Sequence, residues 1–225
     1  MFIHLNTHSV YSAMRGLLPV SKLIQLSKSN GMKSLALTDV NCLSGFINFI
    51  KHCNSMDVKP IAGANLITKN EDIIVLVENQ IGYENLCQII SKIYDMKDPK
   101  ISDILTFHYS GLFILTEQYS ILKQLKSVVS NTHLFIELRP GGFESESKKL
   151  AKKLKLEVVA TGNVYFHKMN DYESYLMLKA INKNTKIDNV KKESDRSALN
   201  WFRNEESMAR LFPNSLDAIN NSFYL

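Results

Sequence analysis

The feature that most constrains the fold is a regular alternation of short apolar, β-branched runs with longer amphipathic segments. Strand-length runs fall at residues 2–5, 34–38, 58–61, 73–77, 111–115, 133–138 and 157–161. Most are continuously apolar, the pattern of strands covered on both faces. Between them, Pro19 stands where a first helical turn accepts proline, followed by Val20, Leu23 and Ile24 at helical spacing. Further apolar stripes are Leu43, Phe46, Ile47, Ile50 and Cys53; then Tyr83, Leu86, Cys87, Ile90 and Ile93; then Leu150, Ala151 and Leu154. Gly31 and Gly82 fall where helices start or stop. Strand–helix alternation predicts an α/β fold on a parallel sheet, and seven such units would close into a small TIM-like barrel. An open doubly wound sheet has the same periodicity and stays the alternative.

The chain has 225 residues, 45% hydrophobic and 22% charged, which suits one large domain with a real core. No apolar run approaches the roughly 20 residues of a membrane span, and the N-terminus lacks the pattern of a secretory signal. Cys42, Cys53 and Cys87 lie on apolar stretches and read as reduced cysteines of a cytoplasmic protein. The net charge of +5 and pI of about 9.0 permit nucleic-acid contact without establishing it. The lysines at 148, 149, 152, 153 and 155 read as a solvated helix face, and those at 183, 186, 191 and 192 as part of a polar loop. Residues 182–200 interrupt the alternation as a polar excursion; residues 205–211 and 215–223 resume helical patterning.

Several segments, in order along the chain, carry a family resemblance. His4-Leu5-Asn6-Thr7-His8-Ser9 resembles the opening motif of the PHP family, which reads His-x-His-Ser after a strand. Leu37-Thr38-Asp39-Val40-Asn41 is similar to its Thr-Asp-His-Gly/Asn motif, and Lys59-Pro60-Ile61-Ala62-Gly63-Ala64-Asn65 to Lys-Pro-x-x-Gly-x-Glu. Val159-Ala160-Thr161-Gly162-Asn163-Val164-Tyr165 stands where the family has Val-Ala-Thr-Asn-Asp-x-His. Gly82-Tyr83-Glu84-Asn85-Leu86 and Trp201-Phe202-Arg203-Asn204-Glu205-Glu206-Ser207-Met208 resemble the branch found at the N-terminus of bacterial DNA polymerase III alpha subunits. The resemblance implies a distorted seven-stranded β/α barrel over residues 1–181, with 182–225 leading toward a polymerase palm absent from this chain. The chain then reads as a piece of a longer polymerase.

In that family the barrel mouth holds a cluster of divalent metals on His and carboxylate ligands. Here the family's ligand positions carry Asn6, His8, Arg15, Val40, Asn65, Asp72, Asn163 and Tyr165. Only His8, Glu137 and Asp72 keep ligand chemistry; Asp39 more often serves as a hydrogen-bonding neighbour. Arg15 puts a fixed cation where a metal wants an anion, Val40 has no lone pair, and amide oxygens are weak neutral donors. The expectation is a site without catalytic residues or bound metal, its polar groups joined by direct or water-bridged hydrogen bonds among Asn6, Asn65, Asn163 and Tyr165. Zinc or manganese would enter only if this vestigial set were occupied, and magnesium belongs to the parent polymerase. The expected role is structural: supporting the polymerase core, which contacts DNA, and docking a proofreading exonuclease, with no membrane partner. A metal-dependent phosphoesterase or 3′→5′ exonuclease is the rival class.

The remaining candidates read as structure. His4, His52, His108, His133 and His167 form no metal-binding helix pair, and Gly141-Gly142 lacks a phosphate-loop lysine signature. Ser9 and Ser12 sit on no nucleophile elbow. Tyr165, Phe166, Tyr172 and Tyr175 have the spacing of core packing.

Overall fold

The computed structural model describes residues 1–192 and 196–225, with the side chain of Lys192 also left aside. The polar excursion therefore falls partly outside the described residues. In chain order the elements are α1 (Val20–Ser29), β1 (Ser34–Leu37), α2 (Phe46–Met56), β2 (Lys59–Ile67), β3 (Asp72–Val77), α3 (Gln80–Asp95), α4 (Ile101–Leu105), β4 (Leu112–Thr116) and α5 (Tyr119–Leu125). They continue as β5 (Leu134–Leu138), α6 (Glu144–Leu154), β6 (Val158–Ala160), α7 (Tyr172–Asn182), α8 (Ile187–Lys192), α9 (Glu205–Leu211) and α10 (Leu216–Tyr224). No helix among the described residues is long and apolar enough to cross a membrane.

The expected α/β class holds, but the sheet is mixed rather than parallel. Six strands follow chain order in one strongly curled sheet, with β2 antiparallel to β3 and β3 antiparallel to β4. The cause is the connection: Thr68 N donates to Glu71 O at 2.9 Å, closing a turn too short for the crossover a parallel pair requires. β2 also runs past the predicted end at residue 61 to Ile67, through Gly63, Ala64 and Asn65. Gly63 looks like a strand breaker, yet it serves a close approach, since a Cβ there would lie 2.6 Å from Val75 O.

The expected first strand, residues 2–5, forms no regular strand. It is instead hydrogen-bonded on two sides: Ala36 N donates to His4 O at 3.0 Å and Thr38 N to Thr7 O at 2.9 Å. On the other side, His8 N donates to Val164 O at 2.8 Å and Val164 N to Asn6 O at 2.9 Å. Residues 4–8 thus lie between β1 and the segment after β6.

The core packs the apolar faces of the helices onto this sheet. α1 buries Val20, Leu23, Ile24 and Leu26, and α3 buries Leu86, Ile89 and Ile93. The predicted face of α2 is met in part: Cys53 is buried and Leu43 and Phe46 pack against the core, while Ile47 is exposed and Phe49, outside the predicted stripe, is buried. That helix is apolar on several sides, so its periodicity does not say which side faces in; the large aromatic ring takes the core. Cys53 is buried, Cys42 and Cys87 are half-buried, and all three are free thiols. α10 packs on β6 away from its C-terminal end, where Asn221 Nδ2 donates to Val158 O at 2.9 Å. Ile3 N donates to Ser222 Oγ at 3.2 Å.

α3 starts on a side-chain cap, Asn79 Oδ1 accepting from Gly82 N at 3.1 Å. Gly82 permits it, because a Cβ there would strike Gly111 O at 1.8 Å. Asn79→Ala is expected to cost about 1 kcal/mol of unfolding free energy, read from urea denaturation midpoints.

Candidate functional site

The C-terminal ends of β1, β5 and β6 and the N-terminal segment converge on one mouth. The β2–β3 reversal adds the start of β3, placing Asp72 beside Asn65 across the antiparallel ladder. Sequence reading had no means to see this, because the contribution depends on strand direction.

A guanidinium sits at the centre. Arg139, immediately after β5, donates from Nη1 to Asp72 Oδ2 at 2.6 Å, from Nη2 to Asp72 Oδ1 at 2.9 Å, and from Nε to Glu137 Oε2 at 2.7 Å. Both carboxylates are further held by neutral donors. Asn6 Nδ2 and Thr161 Oγ1 donate to Glu137 Oε1 at 2.8 and 2.6 Å, and Asn65 Nδ2 donates to Asp72 Oδ1 at 2.6 Å. Burial alone would lower the pKa of Arg139, but Glu137 and Asp72 hold it well above its ordinary value. Burial likewise opposes ionising Asp72, yet the Arg139 pair wins and its pKa falls. Glu137, with its side chain fully buried, is pushed up by burial against the pull of Arg139 and Thr161. Only donors face its oxygens, so the carboxylate is the form this pocket fits.

His8 lies at the edge of the network, stacked on Tyr165 with centroids 3.9 Å apart. Its Nδ1 donates to Val164 O at 3.0 Å, and its Nε2 faces Asn65 Oδ1 at 3.3 Å. Burial lowers its pKa to about 4, so the ring is neutral, and that second contact holds no proton between two acceptors. Asp39 is saturated separately: it accepts from Ser9 N at 2.7 Å, Ser9 Oγ at 2.8 Å and Ser12 Oγ at 2.6 Å. Burial raises its pKa. Val40 contributes only its backbone, its N donating to Ser12 Oγ at 3.0 Å.

Several sequence expectations need correcting. Asn6 and Asn65 do join the polar network, but each bonds to a carboxylate rather than to another amide. Asn163, at a positive φ of 45°, leaves its buried Oδ1 without a partner among the described residues. Tyr165 contributes its ring face rather than a hydroxyl bond. Arg15 is half-buried on the loop after His8 and makes no ion pair among the described residues. The cation at the mouth is Arg139, which the sequence reading passed over. Its signal was present: a charged residue directly after an apolar strand, at the barrel end where functional residues gather. The other readings stand: Gly141-Gly142 forms a turn, with Gly142 N donating to Arg139 O at 2.8 Å. Tyr165, Phe166 and Tyr175 pack as a buried aromatic cluster.

This donor set does not suit a catalytic metal. Among the described residues no three His, Cys, Asp or Glu side chains converge as a ligand group. Both Asp72 oxygens and Glu137 Oε2 are taken by Arg139, Glu137 Oε1 by Asn6 and Thr161, and the free imidazole nitrogen of His8 faces an amide oxygen. A dication here would meet a fixed positive charge a few ångströms away, with the carboxylate oxygens already engaged.

The DNA polymerase III alpha subunit of Pasteurella multocida is 28% identical over 257 aligned positions, covering 100% of this chain and 22% of that protein. That of Vibrio cholerae is 29% identical, covering 98% of this chain and 22% of its own length. The chain is homologous to the N-terminal region of such subunits and spans about 22% of their length. Among solved structures, a Bacteroides vulgatus two-domain protein containing a predicted PHP-like metal-dependent phosphoesterase superimposes with a TM-score of 0.54 at 11% identity. The superposition covers 73% of this chain and 52% of that one, a likeness of fold. The sequence matches the PHP domain over residues 4–166, the stretch that builds the whole mouth, and the chain belongs to the PHP domain family.

Proposed function

We propose that this chain is a non-catalytic PHP domain that acts as a structural element of a DNA polymerase III alpha-type protein. In this reading residues 2–8 serve as the seventh strand of a distorted β/α barrel. The carrying observation is Arg139, whose guanidinium takes both Asp72 and Glu137 and stands where a metal cluster would need open ligands. A built-in cation supplies the charge balance that a metal gives an active relative, without its Lewis acidity or a bound hydroxide. Residues 182–225 lead onward to the polymerase region of the parent, where its magnesium and its DNA contacts belong. The barrel surface supports that core in the cytoplasm and offers a dock for a proofreading exonuclease.

Protein purified without chelator is expected to carry no stoichiometric zinc or manganese by elemental analysis, and EDTA should leave its Tm unchanged. Zinc-, cobalt- or manganese-dependent cleavage of a 3′-labelled primer, abolished by His8→Ala, would overturn the reading in favour of a phosphoesterase or exonuclease. For the scaffold role, removal of residues 1–225 from the full polymerase should destabilise it and weaken exonuclease binding; unchanged behaviour would refute that role.

A further inference from the structure

Helix α6 carries more positive charge than its own stability calls for. Lys149, Lys152, Lys153 and Lys155 are exposed and have no ion pair among the described residues, and Lys123 on neighbouring α5 adds a fifth. Lysines in the last turn complement the helix dipole, which accounts for Lys152 and Lys153. It does not account for Lys149, which also forms a like-charge i,i+4 pair with Lys153, an arrangement that destabilises a helix. The nearby acids offset this only in part. Glu144 is occupied with Asn214 N at 3.0 Å, leaving Glu146 on the same helix.

Two aromatic rings open beside these lysines. Phe143 is 62% exposed and Tyr119 40% exposed, and each has a cation at its face. Lys153 Nζ stands 4.6 Å from the Tyr119 ring centre, and the Arg196 guanidinium carbon 6.0 Å from that of Phe143. Between Tyr119, Leu150, Lys149 and Lys153 lies a slot of about 310 Å³. It adjoins a cleft of about 360 Å³ that reaches Phe143 and Arg196 and is also lined by Glu117, Glu137 and Glu146, with Arg196 paired to Glu117 at 3.3 Å. The arrangement is an open groove with Tyr119 and Phe143 along its course, and Lys149 and Lys153 on its rim beside Glu146, the two lysines without an ion pair among the described residues.

We propose that this α5–α6 groove binds single-stranded DNA, with bases stacked on Tyr119 and Phe143 and phosphates held by Lys149, Lys152 and Lys153. A single strand fits because its bases are free to leave their own stack, and stacking on an exposed ring needs no sequence. A duplex keeps its bases inside and could use only the lysines. An acidic peptide would leave both rings uncovered. When a base takes the face of Tyr119, Lys153 is released toward the adjoining phosphate. The lysine rim lies outside the Arg139–Asp72–Glu137 network, and only the cleft end of the groove reaches Glu137. With these carboxylates lining the cleft, the phosphates run along the lysine rim and not into the cleft.

The test is fluorescence anisotropy of the full chain with a labelled oligothymidylate at two salt concentrations, with unlabelled duplex DNA and heparin as competitors. Tyr119→Ala with Phe143→Ala is expected to weaken binding about tenfold or more, with the salt dependence kept. Lys149→Glu with Lys153→Glu should abolish most binding and flatten the salt slope, each lost phosphate contact removing roughly 0.7 from the log–log gradient. All four positions are exposed, and circular dichroism of each variant checks that the fold persists. Absence of binding by the wild type overturns the proposal. So does binding that both double variants retain, and so does competition by heparin or duplex equal to that by the single strand, which would indicate charge attraction without stacking.

Discussion

Arg139→Met is expected to lower the free energy of unfolding by about 3–5 kcal/mol, the range for breaking a buried ion pair from one side. The loss arises from what remains rather than from the absent side chain. Glu137, with its side chain fully buried, would keep two neutral donors but no counter-charge, and Asp72 would lose both of its short bonds to the guanidinium. Arg139→Lys keeps the charge but not the fork that spans two carboxylates, so it should fall between wild type and Arg139→Met. Adding Glu137→Gln and Asp72→Asn to Arg139→Met removes the stranded charges and should recover much of the loss. Urea unfolding followed by circular dichroism at pH 7.5 measures all of these. A cost below about 1 kcal/mol for Arg139→Met would show that the mouth does not rely on its guanidinium, and the proposed replacement of metal by arginine would fail.

The second large effect is acid sensitivity centred on His4. This ring is wholly buried between Phe2 and Phe202, with centroids at 4.8 and 4.3 Å, and its Nε2 donates to Arg203 O at 2.8 Å. Its Nδ1 is buried with no partner among the described residues, so a proton placed there would find no acceptor among them. Relief by a shift of Gly162 is closed off: that residue already packs so tightly that a Cβ would lie 2.4 Å from the ring. Burial is the main cause that lowers the His4 pKa from 6.5 to about 4, and the nearby Arg203 charge adds to it. Between those values the unfolded chain binds the proton and the folded one does not, so stability present above pH 6.5 is lost as pH falls toward 4. At pH 5 the loss from this group comes to about 2 kcal/mol. Asp39 and Glu137, with raised values, act in the opposite sense. Comparison with His4→Gln cancels them, since its amide can still donate to Arg203 O. The wild type should lose about 2 kcal/mol more than the variant between pH 7.5 and 5, and equal losses would refute the assignment.

The legible part of the fold was the part set by local pattern. β1, β3, β4, β5 and β6 lie where continuous apolar runs predict them, within a residue or two at each end. Those runs are fixed by burial on both faces, which leaves a direct trace in sequence. β2 was misjudged where glycine and asparagine carry the strand onward for close packing, and α2 where apolar residues surround the helix. In the site, Asn6, His8, Asp39, Asn65, Asp72 and Glu137 all come to the mouth or its rim. Asn163 and Tyr165 make no direct hydrogen bond to Asn6 or Asn65 among the described residues, and Arg15 forms no ion pair there.

By itself the sequence determined the α/β class, most of the order of elements and the family, because each depends on residue identity and near-neighbour spacing. The tertiary structure alone decided the direction of β3, and with it which charges meet. A tight turn reverses the chain after β2, so Asp72 enters the mouth from a strand running opposite to its parallel neighbours. There Arg139, 67 positions away in the chain, closes on it. Charge pairing across such a separation depends on chain path rather than composition, and a one-dimensional pattern carries no record of that path.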